Sequence, residues 1–477
     1  MSELFERAKT HIHRSEWEQA IPLLAQHLNG NFDDDIALWS LASAMIETGR
    51  HGIGAALLHQ ALAVRKQKGG GVFTDALASL GAAYFTVDDM ERAIGLFEAA
   101  LEYEKDESSQ SNLLANLGKA YTTLGEPEKA LHFIERALEL RPDNDGAIFS
   151  GHFAHLMLGN WREGWQGSEK RFEQTIGQTM HKSYQGTPDW DGSSGKTVVV
   201  YGEQGVGDEI LFASCLPDLI AVSKHVVFDC HPRLVNLFKR SFPDATIHGT
   251  RKVLSQLEWL DNVEVDYSVS LASLPRFFRN CDDDFPGAPY LKALTNGGVA
   301  DLGKERARFT PVGLRGDGGP SIGFAWAGGT RKTNSHLRSI DLSKMAKIIH
   351  AIDADFYSLQ YQPEAAKEVC ALEETTGIHI MHYPGWVQCD DYDRTASLVA
   401  SLDLVITVGT SIHHLSNALG VPTWTLVPSR PGWRYTDAGQ RFYSSSSRFF
   451  RQKGNDWTSA IDEVASALAE RFAEKAA

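Results

Sequence analysis

Three turns in this 477-residue sequence carry residues whose types and spacing suit chemistry on a phosphorylated ligand. In GEQGVGD (202–208), Gly202, Gly205 and Gly207 permit a tight strand-to-helix turn and a close approach of ligand to backbone. The spacing is not the G-x-G-x-x-G dinucleotide fingerprint, and no Gly-Lys-Ser/Thr follows to make a P-loop. Asp208 closes the turn. Spacing alone reads it first as a helix N-cap; the chemical alternative is a general base at the mouth of a cleft. In AGGTRKTN (327–334), the hydroxyls of Thr330 and Thr333 and the charges of Arg331 and Lys332 suit a grip on a diphosphate; the plainer reading is a solvated basic loop. Arg338 adds an anion contact nearby. In VITVGTSIHHLSNALG (405–420), a strand ends at Gly409-Thr410-Ser411 and a helix opens. The first N–H groups of a helix favour an anion by roughly 0.3–1 kcal/mol, and Thr410 is placed to hydrogen-bond a phosphate. His413 and His414 are adjacent and point in different directions on a helix, so at most one faces a ligand. The alternative is one packed and one exposed histidine.

Other clusters read as structure. The acidic triplets Asp33-Asp34-Asp35 and Asp282-Asp283-Asp284 are expected to be solvated turns, and no metal site is expected. The dispersed tryptophans read as packing, with Trp433 the exception that would suit a sugar platform. The cysteines are odd in number, lack close pairing, and read as reduced, buried or semi-buried thiols.

The turns need strands and helices to hold them. TVVVY (197–201) is a short, mostly β-branched run that suits a buried parallel strand, and EILFASCLPDLIAVS continues it as helix. VVFDC (226–230) and a basic helix around RLVNLFKR follow. After a second break near 301–320 the alternation restarts. SIGFAWAG, DFYSLQ, DLVITV and PTWTLVP read as strands; DLSKMAKIIHAI, TASLVASL and SIHHLSNALG read as helices. Two such units in tandem predict two open parallel sheets, residues 197–318 and 319–477, with ligand at the carboxyl ends of their strands.

Residues 1–175 are different. Leu117, Gly118, Tyr121, Ala130, Ala137 and Pro142 fall on the tetratricopeptide pattern, and Leu80, Gly81, Tyr84, Ala93, Phe97 and Ala100 repeat it. Leu41, Ala42 and Ala61 fit again, and Ala8, Ala20 and Leu24 more weakly. The key small positions are Ala8, Ala42, Gly81, Gly118 and, in a fifth copy, His152; they lie 34, 39, 37 and 34 residues apart. Glycines in KQKGGGVF account for one of the longer gaps. The fold class is an all-α repeat array joined to an α/β body by a Gly/Ser/Thr-rich linker at 176–196. A stacked array presents a concave face that suits a partner protein; the alternative is a solubilising cap.

A net charge of −15 disfavours nucleic-acid and anionic-membrane surfaces without excluding a local basic pocket. The N-terminal MSELFERAKTHIHRSEW has no apolar signal core and no run is long enough to span a bilayer, so a cytoplasmic location without membrane insertion is expected.

The segments GNWREGWQGSEKRF (159–172), GEQGVGDEILFASCLP (202–217), GFAWAGGTRKTNSHLRSI (323–340), FYSLQ (356–360), TASLVASLDLVITVGTSIHHLSNALG (395–420), PGWRY (431–435) and FFRQKGNDW (449–457) resemble, in order and spacing, a group of bacterial glycosyltransferases. These carry tetratricopeptide arms on a body like that of ADP-heptose:lipopolysaccharide heptosyltransferases, and are more distantly similar to O-GlcNAc transferase. The resemblance implies a GT-B fold, an inverting, metal-free mechanism, and a nucleotide-sugar co-substrate rather than a cofactor. It makes Asp208 the acceptor-activating base and residues 330–333 the phosphate loop. Gln360 lies near the nucleotide base, Thr410 and His414 match the motif Asp-Thr-x-x-x-His-Leu, and Arg434 matches the arginine of a Trp-Arg pair. With Ser411, Arg338 and Gly409 these residues would bind the donor. Two positions depart. Gly409 replaces an aspartate that contacts the donor sugar, and Arg394 replaces an acidic residue. The implied acceptor is a protein hydroxyl, with flagellin the leading candidate. The alternatives are a transferase for lipopolysaccharide or another glycan, and a non-catalytic scaffold.

Overall fold

The computed structural model describes residues 2–173, 176, 179, 181–251, 257–294, 319–329, 335–388 and 390–473. The chain divides into two compact units, Met1–Leu158 with Gly167–Ile176, and Gly159–Gln166 with Gly177–Ala477.

The first unit is an all-helical tetratricopeptide-repeat array. Its helices are α1 (Glu3–His13), α2 (Trp17–Gly30), α3 (Asp35–Glu47), α4 (His51–Gln67), α5 (Thr74–Thr86), α6 (Met90–Tyr103), α7 (Glu107–Leu124), α8 (Pro127–Leu140) and α9 (Asp145–Leu158); α10 (Trp161–Ser168) crosses the boundary between the units. Local chemistry sets the ends. Asp106 caps α7 by accepting from Ser109 N, Gly125 ends it at φ +81, and Pro127 opens α8 at a position that needs no N–H. The predicted small residues form the seams. A Cβ on Gly81 would stand 2.7 Å from Phe97 Cε1, and one on Gly118 2.5 Å from Ile134 Cδ1, while Ala8 and Ala42 are fully buried. In the fifth pair the small residue is on the second helix, where a Cβ on Gly167 would lie 2.8 Å from His152 Cβ. The Asp33–Asp35 turn is structural: Asp34 caps α3 at Ala37 N and accepts from His27, and Asp35 pairs with Arg65.

The second unit holds two all-parallel sheets. The first, β3-β2-β1-β4, uses β1 (Thr197–Tyr201), β2 (His225–Asp229), β3 (Ala245–His248) and β4 (Tyr267–Ser270). The second, β6-β5-β7-β8-β9, uses β5 (Ser321–Ala325), β6 (Asp355–Ser358), β7 (Leu404–Val408), β8 (Thr423–Val427) and β9 (Ser447–Arg451). Met381 adds a parallel bridge to Tyr357 at the outer edge of β6. Both orders reverse beside the first strand of the sheet, as in Rossmann-like α/β domains, and ligands of such sheets bind where the order reverses. Strands β1, β7 and β8 are buried along their whole length, as expected for strands covered on both faces. Among the described residues, no helix is long and apolar enough to cross a membrane.

The tryptophans pack. Trp161 and Trp165 enter an aromatic cluster with Phe212, Phe285, Trp433 and Phe442. Trp161 Nε1 donates to Asp282 Oδ1 and Trp165 Nε1 to the Arg279 carbonyl. Trp433 is only 4% exposed, so the expectation of a sugar platform there is overturned. Asp282 also pairs with Arg441, and Asp284 accepts from Asn280 N and Cys281 N, so the second triplet is a short, internally bonded 3-10 turn. Cys215 and Cys230 are buried, but Cys281 and Cys370 are exposed, against the sequence expectation; Cys389 lies outside the described residues.

The same chemical change should have opposite effects at two helical glycines of the array. Gly95→Ala, with nothing within 4 Å of the new methyl, should gain helix propensity and stabilise the protein by about 0.5–1 kcal/mol. Gly118→Ala forces Ile134 and the Ala130 carbonyl aside and should cost about 1–3 kcal/mol. Urea midpoints of the two variants that moved in the same direction would refute this account of the seams.

Candidate active site

Gly205 is the N-cap residue of the helix Val206–Phe212, and Asp208 is the third residue inside that helix. The N-cap reading of Asp208 therefore fails. Its carboxylate instead accepts from Arg434 Nη2 at 2.6 Å, and both side chains are about a quarter exposed. The neighbouring carboxylate, Glu209, turns inward. It accepts from His231 N at 2.8 Å and pairs with Arg251 Nε at 2.5 Å; Arg251 in turn donates to the Gln204 carbonyl. Burial pushes Glu209 up to about 7 although Arg251 and the His231 N–H pull it down. Gly202 makes room for this group, since a Cβ there would fall 2.1 Å from Glu209 Oε1. Gly207 does a different job. Its Cβ would stand 3.1 Å from His414 Cδ2 and 3.3 Å from Ser411 Cα, so its absence lets this helix meet the helix Ser411–Ala418 of the second sheet.

That second helix is capped by Thr410, whose Oγ1 accepts from Ile412 N at 3.2 Å, and Ser411 accepts from Tyr392 Oη at 2.8 Å. Both histidines are buried, so neither is the exposed partner that the sequence allowed. His413 Nδ1 meets Thr425 Oγ1 at 2.7 Å among Tyr435, Tyr443 and Phe449. His414 lines the cavity, and its Nδ1 is hydrogen-bonded to Tyr443 Oη at 3.2 Å. Burial first, then Arg434 and Arg338, drives His414 down to about 3, and burial drives His413 well below its usual value.

The two helices wall a cavity of about 610 Å³ at the carboxyl ends of strands from both sheets. Arg233, Arg338, Arg430 and Arg434 line it, and Asp208 is the one carboxylate among its described lining residues. Arg338 Nη1 donates to the Gly409 carbonyl at 3.2 Å. Leu359, Val387, Leu426, Pro428 and the half-exposed Tyr361 add apolar surface to its lining. The halves of the body are also clamped outside the cavity, where Arg240 is bidentate to Asp393 and Asn236 donates to Asp391.

The structure brings together Gly205, Gly207, Asp208, Arg338, Gly409, Thr410, Ser411, His414 and Arg434. Gln360 is not among them. It is 1% exposed; Oε1 accepts from Trp326 N and Ala327 N while Nε2 donates to Ala327 O and to Gln362, so its side chain is occupied in holding the end of β5. Thr330, Arg331, Lys332 and Thr333 lie outside the described residues. At Gly409 a Cβ would sit 2.8 Å from Tyr435 Cζ, so the tyrosine ring fills the place of a side chain. Arg394 reaches only toward the Gly385 carbonyl; the acidic group is one residue earlier, at Asp393. Sequence reasoning missed Arg233, Arg430 and Tyr435, although each lies one to four residues beyond a strand or a Trp-Arg pair already singled out.

The tetratricopeptide repeat family matches residues 73–143. Protein FlbA of Caulobacter vibrioides is 26% identical over 325 residues, covering 66% of this chain and 53% of FlbA. The chain thus spans about half the length of that curated relative. Among solved structures, MamA is similar over 36% of this chain and 88% of its own, at 19% identity and a TM-score of 0.29. YrrB, a TPR protein with an unusual peptide-binding site, is similar over 36% and 87%, at 14% identity and a TM-score of 0.28.

The depressed His414 sets a pH dependence. The unfolded histidine titrates near about 6.5, so the unfolded state binds the extra proton first as pH falls. Stability is fully present above about 6.5 and is lost as pH falls from there toward about 3. Between pH 7 and pH 5.5 this one group should cost roughly 1 kcal/mol. His414→Gln should shrink the pH 7 to pH 5.5 difference in unfolding free energy by that amount, and an unchanged difference would contradict the assignment.

Proposed function

We propose that this chain is an inverting, metal-independent glycosyltransferase of GT-B type, moving a sugar from a nucleotide-sugar to a hydroxyl of a protein acceptor. The observation that carries the reading is the charge pattern of the cavity: four arginines and a helix N-terminus face one carboxylate, in a chain of net charge −15. Such a cavity suits a diphosphate, because guanidinium groups match phosphate oxygens and the helix dipole favours negative charge. The apolar lining residues, with Tyr361, suit a nucleobase.

In this reading Asp208 takes the proton of the acceptor hydroxyl. The hydroxyl oxygen attacks the anomeric carbon from the face opposite the phosphate. The bond to the nucleoside diphosphate breaks, its electrons leave with the phosphate oxygen, and the arginines with the first N–H groups of the helix Ser411–Ala418 stabilise that charge. The protonated Asp208 then returns its proton to solvent. Fixed cations thus take the part that a divalent metal plays in other transferases. The repeat array supplies recognition of the protein acceptor, and flagellin is the first acceptor to try on the strength of the resemblance described above.

Asp208→Asn should leave the protein folded and ligand binding unweakened, yet cut transfer by roughly 10²–10⁴, the usual worth of a general base. The parent in excess EDTA should keep its full rate. Transfer by Asp208→Asn at the parent rate, or a rate lost to EDTA and restored only by Mg²⁺ or Mn²⁺, would overturn the mechanism.

The array is tested by deletion. The cut belongs before Gly159, because Trp161 and Trp165 are part of the aromatic core of the body. A chain lacking residues 2–158, shown to be folded by circular dichroism, should bind nucleotide-sugar but fail to modify its protein acceptor. Full modification by this truncated chain would assign the array to assembly or stability instead.

A further inference from the structure

Arg434 stands between two claims on one guanidinium. Its Nη2 is committed to Asp208 Oδ1 at 2.6 Å, while Nε is buried and donates to nothing among the described residues. Its Cζ stands 4.6 Å from the centroid of the Trp433 ring, which the aromatic cluster fixes, so the guanidinium can change partners by turning over that ring. Both Arg434 and Asp208 line the cavity, and Arg338 and His414 face it beside them. We propose that Asp208 and an anion in the cavity compete for Arg434: without ligand the arginine is held by the carboxylate, and a phosphate that captures it releases Asp208. This rests on the anion-binding reading above and goes further, because it makes ligand entry the event that frees the carboxylate. Before entry, Asp208 spends a lone pair on Arg434. After entry, that lone pair is available to an acceptor hydroxyl, so the carboxylate is released only when the leaving phosphate is in place.

The test is a double-mutant cycle on the full chain, with inorganic pyrophosphate as the probe and calorimetry as the readout. A partly exposed ion pair is weak, so removing the competitor should tighten binding by about two- to fivefold in Asp208→Asn. The cycle separates exchange from plain charge repulsion. If Asp208 acts by holding Arg434, the gain disappears in the Arg434→Gln background. An equal gain in both backgrounds, or none in the parent background, overturns the exchange and leaves the anion-binding reading intact. Absence of any pyrophosphate binding by the folded parent overturns both. Should Arg434→Gln not fold, a crystal structure of the parent with pyrophosphate decides. Arg434 on a phosphate oxygen with Asp208 released supports the exchange, and the pair intact at its ligand-free separation refutes it.

Discussion

The body depends on the close approach of two helices that open at the carboxyl ends of two different sheets. Gly207 on one and Ser411 with His414 on the other meet so closely that a Cβ on Gly207 would lie 3.1–3.3 Å from them, tight enough that a neighbour would have to shift by a few tenths of an ångström. Because both helices begin at this contact, their first N–H groups and the loops before them are brought to one place. Asp208, one residue beyond Gly207, is thereby within reach of Arg434, and the loops after β5, β6, β7 and β8 close the remaining walls. The contact has support on both flanks. Beneath the glycine turn, the buried Glu209 ties Arg251 and the His231 backbone together, and breaking one partner of such a pair usually costs about 3–5 kcal/mol. On the other flank, Arg240 and Asp393 join the two halves by a bidentate bridge.

The electrostatics follow from this geometry. A chain with an excess of acidic residues would repel a diphosphate at long range, yet the cavity walls present arginines almost alone. At physiological ionic strength, charges more than about 8 Å apart are largely screened, so the local set decides what enters. Burial limits that positive charge. It keeps His414 neutral, which avoids a further cation beside Arg338 and Arg434 and leaves the imidazole to pack against Tyr443. The cationic character is therefore carried by guanidinium groups, which do not titrate in the working range.

Much of this was legible in the sequence where a residue answers to a local rule. The array seams at Gly81 and Gly118 follow from helix periodicity, and the turns at 202–207 and 409–411 from strand-to-helix punctuation. What was not legible depends on packing between distant segments. Asp208 reads as a cap until Gly205 is seen to occupy that position and Arg434 to supply a partner more than two hundred residues away. Gln360 reads as a binding residue only through the family resemblance; the fold shows both ends of its amide spent on the 326–327 backbone. Strands β3 and β4, of four residues each, and β9, only partly buried, were missed as well, because they lack the continuous apolar run that marks β1 and β7.

Gly409 is where sequence and structure give different meanings to one residue. Under the glycosyltransferase resemblance proposed from the sequence, it stands in place of a carboxylate. In the structure it is the condition for Tyr435, whose ring stands where a side chain at 409 would begin. The ring is packed against both histidines, and no hydrogen bond engages its hydroxyl among the described residues. Burial pushes that hydroxyl up to about 12, so it stays a neutral group able both to donate and to accept. The glycine at 409 is thus coupled to Tyr435. The pair presents a phenol on the cavity wall where an aspartate would present an acceptor-only, negatively charged group. Under the proposed function, the wall next to Thr410 would discriminate among sugars by shape and by a neutral hydroxyl rather than by charge. An aspartate introduced at 409 would not by itself place a carboxylate on that wall, because Tyr435 would first have to leave a pocket formed by His413, His414 and Phe449.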